Sequence, residues 1–191
     1  MGLHTHVISL AAVYSRQISG SLFSKIKKRW NLNMQIQLLG GGILSDIQDG
    51  ILDFSPVAEV SICFIEVDGK ILLLKNVNKK IENHTWGAPG GKLEPFETPI
   101  QALQRELAEE TGLRLAIDEG AFKYTLYARL VSVDCTLHIF KTGLEGSVEQ
   151  YPIVIEPREH SQYTWVTPLD ALKLNLIKGE AEIIKLLYPV K

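Results

Sequence analysis

The stretch from Gly90 to Leu113 constrains this chain more than any other. Its first half, Gly90-Gly91-Lys92-Leu93-Glu94-Pro95-Phe96-Glu97, predicts a glycine-bounded loop, and its second half a short, capped helix. Thr98 suits the N-cap, Pro99 the first helical position, and Gln101 the place where a capping box needs Glu or Gln. Gly112 offers a left-handed stop. Between these ends Ile100, Leu103 and Leu107 recur at helical spacing and form an apolar stripe.

Beside that stripe stand Glu106, Glu109 and Glu110, whose offsets of three and four residues put them on one helix face. Like charges so spaced destabilise a helix. Glu110 lies close in angle to Leu103, so it is expected to be partly buried, and a buried carboxylate without a partner is costly. A hard divalent cation with oxygen ligands would resolve both problems. On spacing alone an exposed acidic helix end is the alternative, and it stays open.

The spacing runs Gly91, Glu97, Arg105-Glu106-Leu107, Glu109-Glu110, Gly112-Leu113 and matches every defined position of the Nudix box. The chain therefore resembles the Nudix hydrolase superfamily, in its MutT-like branch, over roughly residues 57–188. The resemblance implies an α/β fold, an α/β/α sandwich around a mixed β-sheet. It implies hydrolysis of a nucleoside diphosphate linked to a further group, with Mg²⁺ as cofactor and Mn²⁺ able to substitute. Metal ligation is carried to Glu106, Glu109 and Glu110, helped by the backbone carbonyl of Gly90, and Glu106 is the expected base for the attacking water. Glu97 and Arg105 match the box positions whose ion pair ties the loop to the helix, a structural rather than a catalytic role. Lys92, after the glycines, either touches a phosphate or is an exposed solubilising lysine. Glu159, just before the last expected strand, matches a place where relatives put an extra acidic group near base or metal. Trp86 and Phe96 either stack on a base or serve the core and rim.

Composition bounds what surrounds this stretch. A chain of 191 residues suggests one domain with room for an extension. The net charge of −2 predicts no general attraction to nucleic acid. Cys63 and Cys135 sit in apolar, strand-like runs and read as buried reduced thiols rather than zinc ligands. No apolar run reaches transmembrane length, so stable membrane insertion is not expected and the expected location is cytoplasmic.

Residues 1–33 differ from the rest, with five basic and no acidic residues, leaving 15 basic against 22 acidic beyond them. They read as a basic extension outside a Nudix domain at 34–191. Three readings stay open for it: a dispensable or over-read segment ahead of Met34, an organellar targeting peptide, or a basic docking helix over Ser21–Trp30. Residues 35–56 predict a short strand around Ile36, broken by Gly40-Gly41-Gly42, that adds to the domain or to a dimer partner. No Lys-Ser/Thr follows these glycines, so they are a turn rather than a phosphate loop.

Val57–Lys75 reads as a hairpin turning at Asp68-Gly69, followed by a polar loop over 76–84. After the box, strands are expected over Tyr124–Val133 and Thr136–Lys141, with Asp134 near their junction. Glu145, Glu149 and Glu156, in the loop that follows, are candidates to extend the acidic site, although most loop carboxylates are only solvated. Tyr163–Val166 reads as a last strand. Thr167-Pro168-Leu169-Asp170 opens a helix that Gly179 interrupts, and Glu180–Tyr188 reads as a final amphipathic helix.

The partner expected is a small-molecule nucleotide, and a homodimer is compatible with the chain. Trp86-Gly87-Ala88-Pro89-Gly90-Gly91-Lys92-Leu93-Glu94 looks like the branch acting on nucleoside triphosphates, which would yield a monophosphate and pyrophosphate. No proline follows the box at the spacing typical of ADP-ribose pyrophosphatases. The extended signature of coenzyme A pyrophosphatases is absent, and Tyr124 and Tyr127 fall short of the place expected in dinucleoside polyphosphate hydrolases. The alternatives are a nucleotide-sugar or dinucleoside polyphosphate pyrophosphatase, or a non-catalytic nucleotide-binding module. The intact box carboxylates speak against the last.

Overall fold

Residues 34–38, 41–77, 84–130 and 133–189 are described by the structure, a computed structural model. The readings of residues 1–33 and of most of the polar loop after Asn76 lie outside them. The strands are, in chain order, β1 Gln35–Gln37, β2 Ile43–Ser45, β3 Ala58–Val67, β4 Lys70–Asn76, β5 Trp86–Gly87, β6 Gly90–Lys92, β7 Phe122–Leu130, β8 Val133–Leu144 and β9 His160–Val166. The helices are α1 Pro99–Thr111, α2 Pro168–Ala171 and α3 Glu180–Leu187.

Alternating side chains on β3 and β4 make the centre of the sheet two-faced. Cys63, Ile65, Leu72 and Leu74 turn to one face, where Leu103 and Leu107 of α1 cover them. Phe64, Ile71 and Leu73 turn to the other, where Ile183 and Ile184 of α3 cover them. The result is the expected α/β/α sandwich. The two strands join through Asp68 and Gly69, both at positive φ (48° and 71°), the two-residue turn that the Asp-Gly pair predicts.

The sheet is mixed. β8 runs parallel to β3 from Ala58↔Cys135 to Val67↔Leu144, whereas β7 and β8 form an antiparallel hairpin. β6 pairs with β3, and β5 and β9 pair with β4. Cys63 and Cys135 are free and buried. No helix among the described residues is long and apolar enough to cross a membrane.

Residues 35–56 contribute two short strands rather than one. β1 and β2 form a hairpin that extends the sheet beyond β7, and Met34, Leu38 and Leu44 join the core on the α3 side. Asp134, expected near the β7–β8 junction, lies inside β8. Both its carboxylate oxygens accept from Arg129 at 2.7 Å, and the backbone N–H of Ser55 donates to it at 2.8 Å, so the polar residue is satisfied within the ladder. β9 starts at His160, three residues earlier than its apolar pattern suggests, because edge pairing to β4 carries its polar leading residues.

The helix opened by Thr167 stops after one turn, at Ala171, well before Gly179. The chain then pairs with β5 instead: Trp86 N–H donates to the Asn175 carbonyl at 2.8 Å, and Ile177 N–H to the Trp86 carbonyl at 2.9 Å. Backbone hydrogen bonds to a strand thus compete successfully with helix continuation.

Candidate active site

The helix α1 forms as its ends dictate. Thr98 accepts from Gln101 N–H, and Gln101 in turn accepts from Thr98 N–H at 2.8 Å, closing the capping box behind Pro99. Gly112 ends the helix at φ 73°. Burial of Leu103 and Leu107 against the sheet fixes the helix rotation, so Glu106 and Glu110 turn toward β6, and Glu110 also meets the start of β9.

Two neighbouring glycines let the loop press against that helix. Gly90 sits at φ 150°, and a Cβ there would run into the carbonyl oxygen of Ser61 on β3. A Cβ on Gly91 would run into the Glu106 carboxylate. The loop backbone therefore lies directly beneath the side chain expected to act on water.

Arg105 organises the cluster. Its Nε and Nη2 hold the two oxygens of Glu97 at 2.8 and 3.0 Å, a two-point pairing. Its Nη1 donates to Glu106 Oε1 at 2.8 Å and to Glu109 Oε2 at 3.3 Å, and its Nη2 also reaches the Lys92 carbonyl at 3.0 Å. One guanidinium thus joins the loop to the helix and supplies part of the positive charge that the crowded carboxylates need. Arg105 and the backbone N–H of Glu94 hold Glu97 down at about 2. Glu106 stands above the ordinary carboxylate range. Burial is the main cause, opposed by Arg105 and reinforced by the charge of Glu110.

Glu110 is 5% exposed. Its Oε2 accepts from the Gly90 N–H at 2.8 Å, and its Oε1 lies 2.8 Å from Nε2 of His160 on β9. His160 is the residue sequence reasoning missed. It is a single histidine with no motif spacing, and its position beside the candidate Glu159 was the only hint. Among the described residues, Glu110, Glu159 and His160 each bring a ligand atom within 4.8 Å of the others'. Of the three expected glutamate ligands that group includes Glu110 but not Glu106 or Glu109, and it includes none of Glu145, Glu149 and Glu156. Glu156 is engaged with Arg158 at 2.8 Å, which holds it below its ordinary range. Glu109 is largely exposed, and the Lys92 and Glu159 side chains lie at the surface.

Oxygen donors on one helix face, a partly buried carboxylate kept hard to ionise chiefly by its burial, and a glycine beneath it suit a hard divalent cation. Close by, a groove of about 540 Å³ opens along β9, lined by Trp86, Gln162, Thr164, Val166 and Leu174 among others. Its Ser161 directly follows His160 in the chain. Trp86 is half-buried, with the ammonium of Lys75 5.6 Å from its ring centre. Phe96 is fully exposed at φ 70°.

The family model for the NUDIX domain matches residues 56–187. The CTP pyrophosphohydrolase of Escherichia coli (strain K12) is 30% identical over 129 residues, which span 66% of this chain and 88% of that protein. The ADP-ribose pyrophosphatase of Bacillus subtilis (strain 168) is 33% identical over 116 residues, 60% of each chain. The crystal structure of a MutT NUDIX hydrolase from Burkholderia pseudomallei superposes with a TM-score of 0.59 at 24% identity, over 70% of this chain and 98% of that one.

Proposed function

The chain belongs to the NUDIX domain family, and on that premise we propose that it is a divalent-cation-dependent hydrolase of a phosphoric anhydride bond, converting a nucleoside triphosphate to the monophosphate and pyrophosphate. The observation that carries this reading is the arrangement around Arg105. One guanidinium holds Glu97, Glu106 and Glu109 while the loop backbone passes beneath Glu106. In this reading Glu106, Glu109 and Glu110 hold Mg²⁺ with the backbone of Gly90, and Mn²⁺ can replace it. The bound cation supplies positive charge to the phosphate oxygens and acidifies water.

The chain's own groups do the rest. Glu106 accepts the proton of the attacking water, a task suited to a carboxylate raised from its ordinary range. Arg105 keeps that carboxylate in place, and its two-point pairing with Glu97 fixes the loop. The groove beside Trp86 takes the nucleoside, with Lys92 toward the phosphates and Glu159 at the border between base and cation sites. Residues 34–191 form the catalytic domain, and residues 1–33 are an appendage to it.

The triphosphate reading is supported by the Trp86–Glu94 sequence and by the similarity to the CTP pyrophosphohydrolase. The similarity to an ADP-ribose pyrophosphatase favours a second reading, a nucleotide-sugar or dinucleotide substrate. The full chain with Mg²⁺ is to be assayed against nucleoside triphosphates, ADP-ribose, dinucleoside polyphosphates and coenzyme A, with products resolved. The expected result is pyrophosphate released directly, not two single phosphates. Turnover of ADP-ribose with none of any triphosphate would overturn the first reading in favour of the second.

A further inference from the structure

We propose that His160 is a positioning residue for the metal-binding carboxylate: a bulge at the start of β9 delivers its imidazole to Glu110 and holds that carboxylate in the orientation in which it meets a divalent cation. This role rests on the reading of the glutamate cluster as a metal site.

The bulge is visible in the strand register. Lys75 pairs with Gln162 and Asn76 with His160, so Ser161 is an extra residue on β9. Along an unbroken strand His160 would share a face with Gln162, Thr164 and Val166, and Val166 packs into the core on the α3 side. The extra residue reverses the alternation at one position and turns His160 toward α1. Bulges beside active sites commonly re-aim a side chain in this way.

The contact made there is specific. His160 is 7% exposed, and its Nε2 lies 2.8 Å from Glu110 Oε1, while the Gly90 N–H donates to Oε2 at 2.8 Å. Each oxygen thus has one protein donor, which fixes the plane of the carboxylate and leaves each a second lone pair for a cation. The Nδ1 atom of His160 is buried with no hydrogen-bond partner among the described residues. An imidazole serving only to fill space would leave that nitrogen unsatisfied to no purpose, where an apolar side chain would do better. Retaining it fits a residue kept for its Nε2–H. A carboxylate oxygen accepts, so in this contact Nε2 is the donor.

The test is cation affinity measured without substrate. Mn²⁺ binding is to be followed by calorimetry and electron paramagnetic resonance, and thermal unfolding with chelator, Mg²⁺ or Mn²⁺, for wild type, His160→Ala and His160→Gln. Loss of a hydrogen-bond partner to a ligating carboxylate is expected to weaken Mn²⁺ affinity about 10- to 100-fold in His160→Ala and to shrink the melting increment that the cation gives. His160→Gln, whose amide can still donate to Glu110, should recover most of both. If His160→Ala does not fold, His160→Leu fills the volume without a donor and carries the same comparison. Wild-type affinity in a folded Ala or Leu variant overturns the positioning role alone, since the cation site would then stand without it. A wild-type protein that binds neither cation overturns the metal site and this role together.

Discussion

The carboxylate of Glu180 accepts a hydrogen bond from the backbone N–H of Ala88 at 2.7 Å, joining the first turn of α3 to the segment that enters the glycine loop. The group is 4% exposed, and burial pushes it up to about 7 against the opposing pull of the Ala88 N–H. Between its unfolded value and that figure, the native state holds a proton that the unfolded chain has released. Stability therefore falls as pH rises from about 4.5 to about 7, then levels once both states are ionised. Glu180→Gln keeps an acceptor for Ala88 and removes the charge. Melting curves in chelator across pH 5–8 should show wild type losing stability toward neutrality, with the Gln variant flatter and at least as stable at pH 8. Parallel curves for the two proteins would mean that Glu180 is not the titrating group.

The carboxylates around Arg105 should separate by what they touch. Glu109→Gln loses one long contact from an exposed side chain, so its melting temperature in chelator should hold or rise as like-charge repulsion is relieved. Glu110→Gln presents an amide to two donors, Gly90 N–H and His160, so it should melt lower. Both should turn over about a hundredfold or more slowly, because each removes a charge that the proposed cation site uses. Arg105→Ala should lose stability and activity together, since Glu97, Glu106 and Glu109 all lose their partner. If both Gln variants melt well below wild type in chelator yet keep near-normal rates, these glutamates are structural and the cation site is wrong.

Residues 34–55 precede the matched family region but are built into the sheet. Arg129 donates to the carbonyls of Leu52 and Asp53 at 2.8 and 3.0 Å, and Met34, Leu38 and Leu44 are buried in the core. Deleting residues 1–33 is expected to leave turnover within a few fold. Deleting residues 1–55 should lower the melting temperature by roughly 10 °C or more, from the apolar surface it uncovers. Two truncations with the same melting temperature would show that the hairpin contributes nothing, and a large loss of activity from the first without unfolding would show that residues 1–33 shape the site.

What could be read from the sequence divides along physical lines. The capping residues Thr98, Pro99, Gln101 and Gly112 act locally, so α1 was legible to the residue. The hairpin of β3 and β4, turning at Asp68-Gly69, was legible for the same reason. Glu110 was expected to be buried from its angle to Leu103 alone, but its partner was expected to be a cation; Gly90 N–H and His160 already hold both oxygens. That contact spans fifty residues and depends on a one-residue bulge, which leaves no periodic trace. The early end of α2 was hidden likewise, because the competing hydrogen bonds come from Trp86, far back in the chain. Local chemistry was readable, and long-range pairing was not.

The two loop glycines give the sharpest separation of fold from chemistry. At Gly90 an added methyl meets the Ser61 backbone, which cannot swing aside, and φ 150° is a conformation that residues with a Cβ avoid. Gly90→Ala should therefore destabilise the protein by about 1–3 kcal/mol or more. At Gly91 the three atoms nearest the methyl all belong to the carboxylate of Glu106, the far end of a flexible side chain, on ordinary backbone. Glu106 can rotate away, so Gly91→Ala should melt close to wild type. That rotation moves the carboxylate off its 2.8 Å contact with Arg105 and away from the water it is expected to deprotonate. Displacement of a general base by about 1 Å costs on the order of a hundredfold. The measurement is kcat beside thermal unfolding for the two variants and wild type. A Gly91→Ala protein that is folded and fully active would show that the position of Glu106 does not matter to the reaction, and the base would have to be sought elsewhere in the cluster.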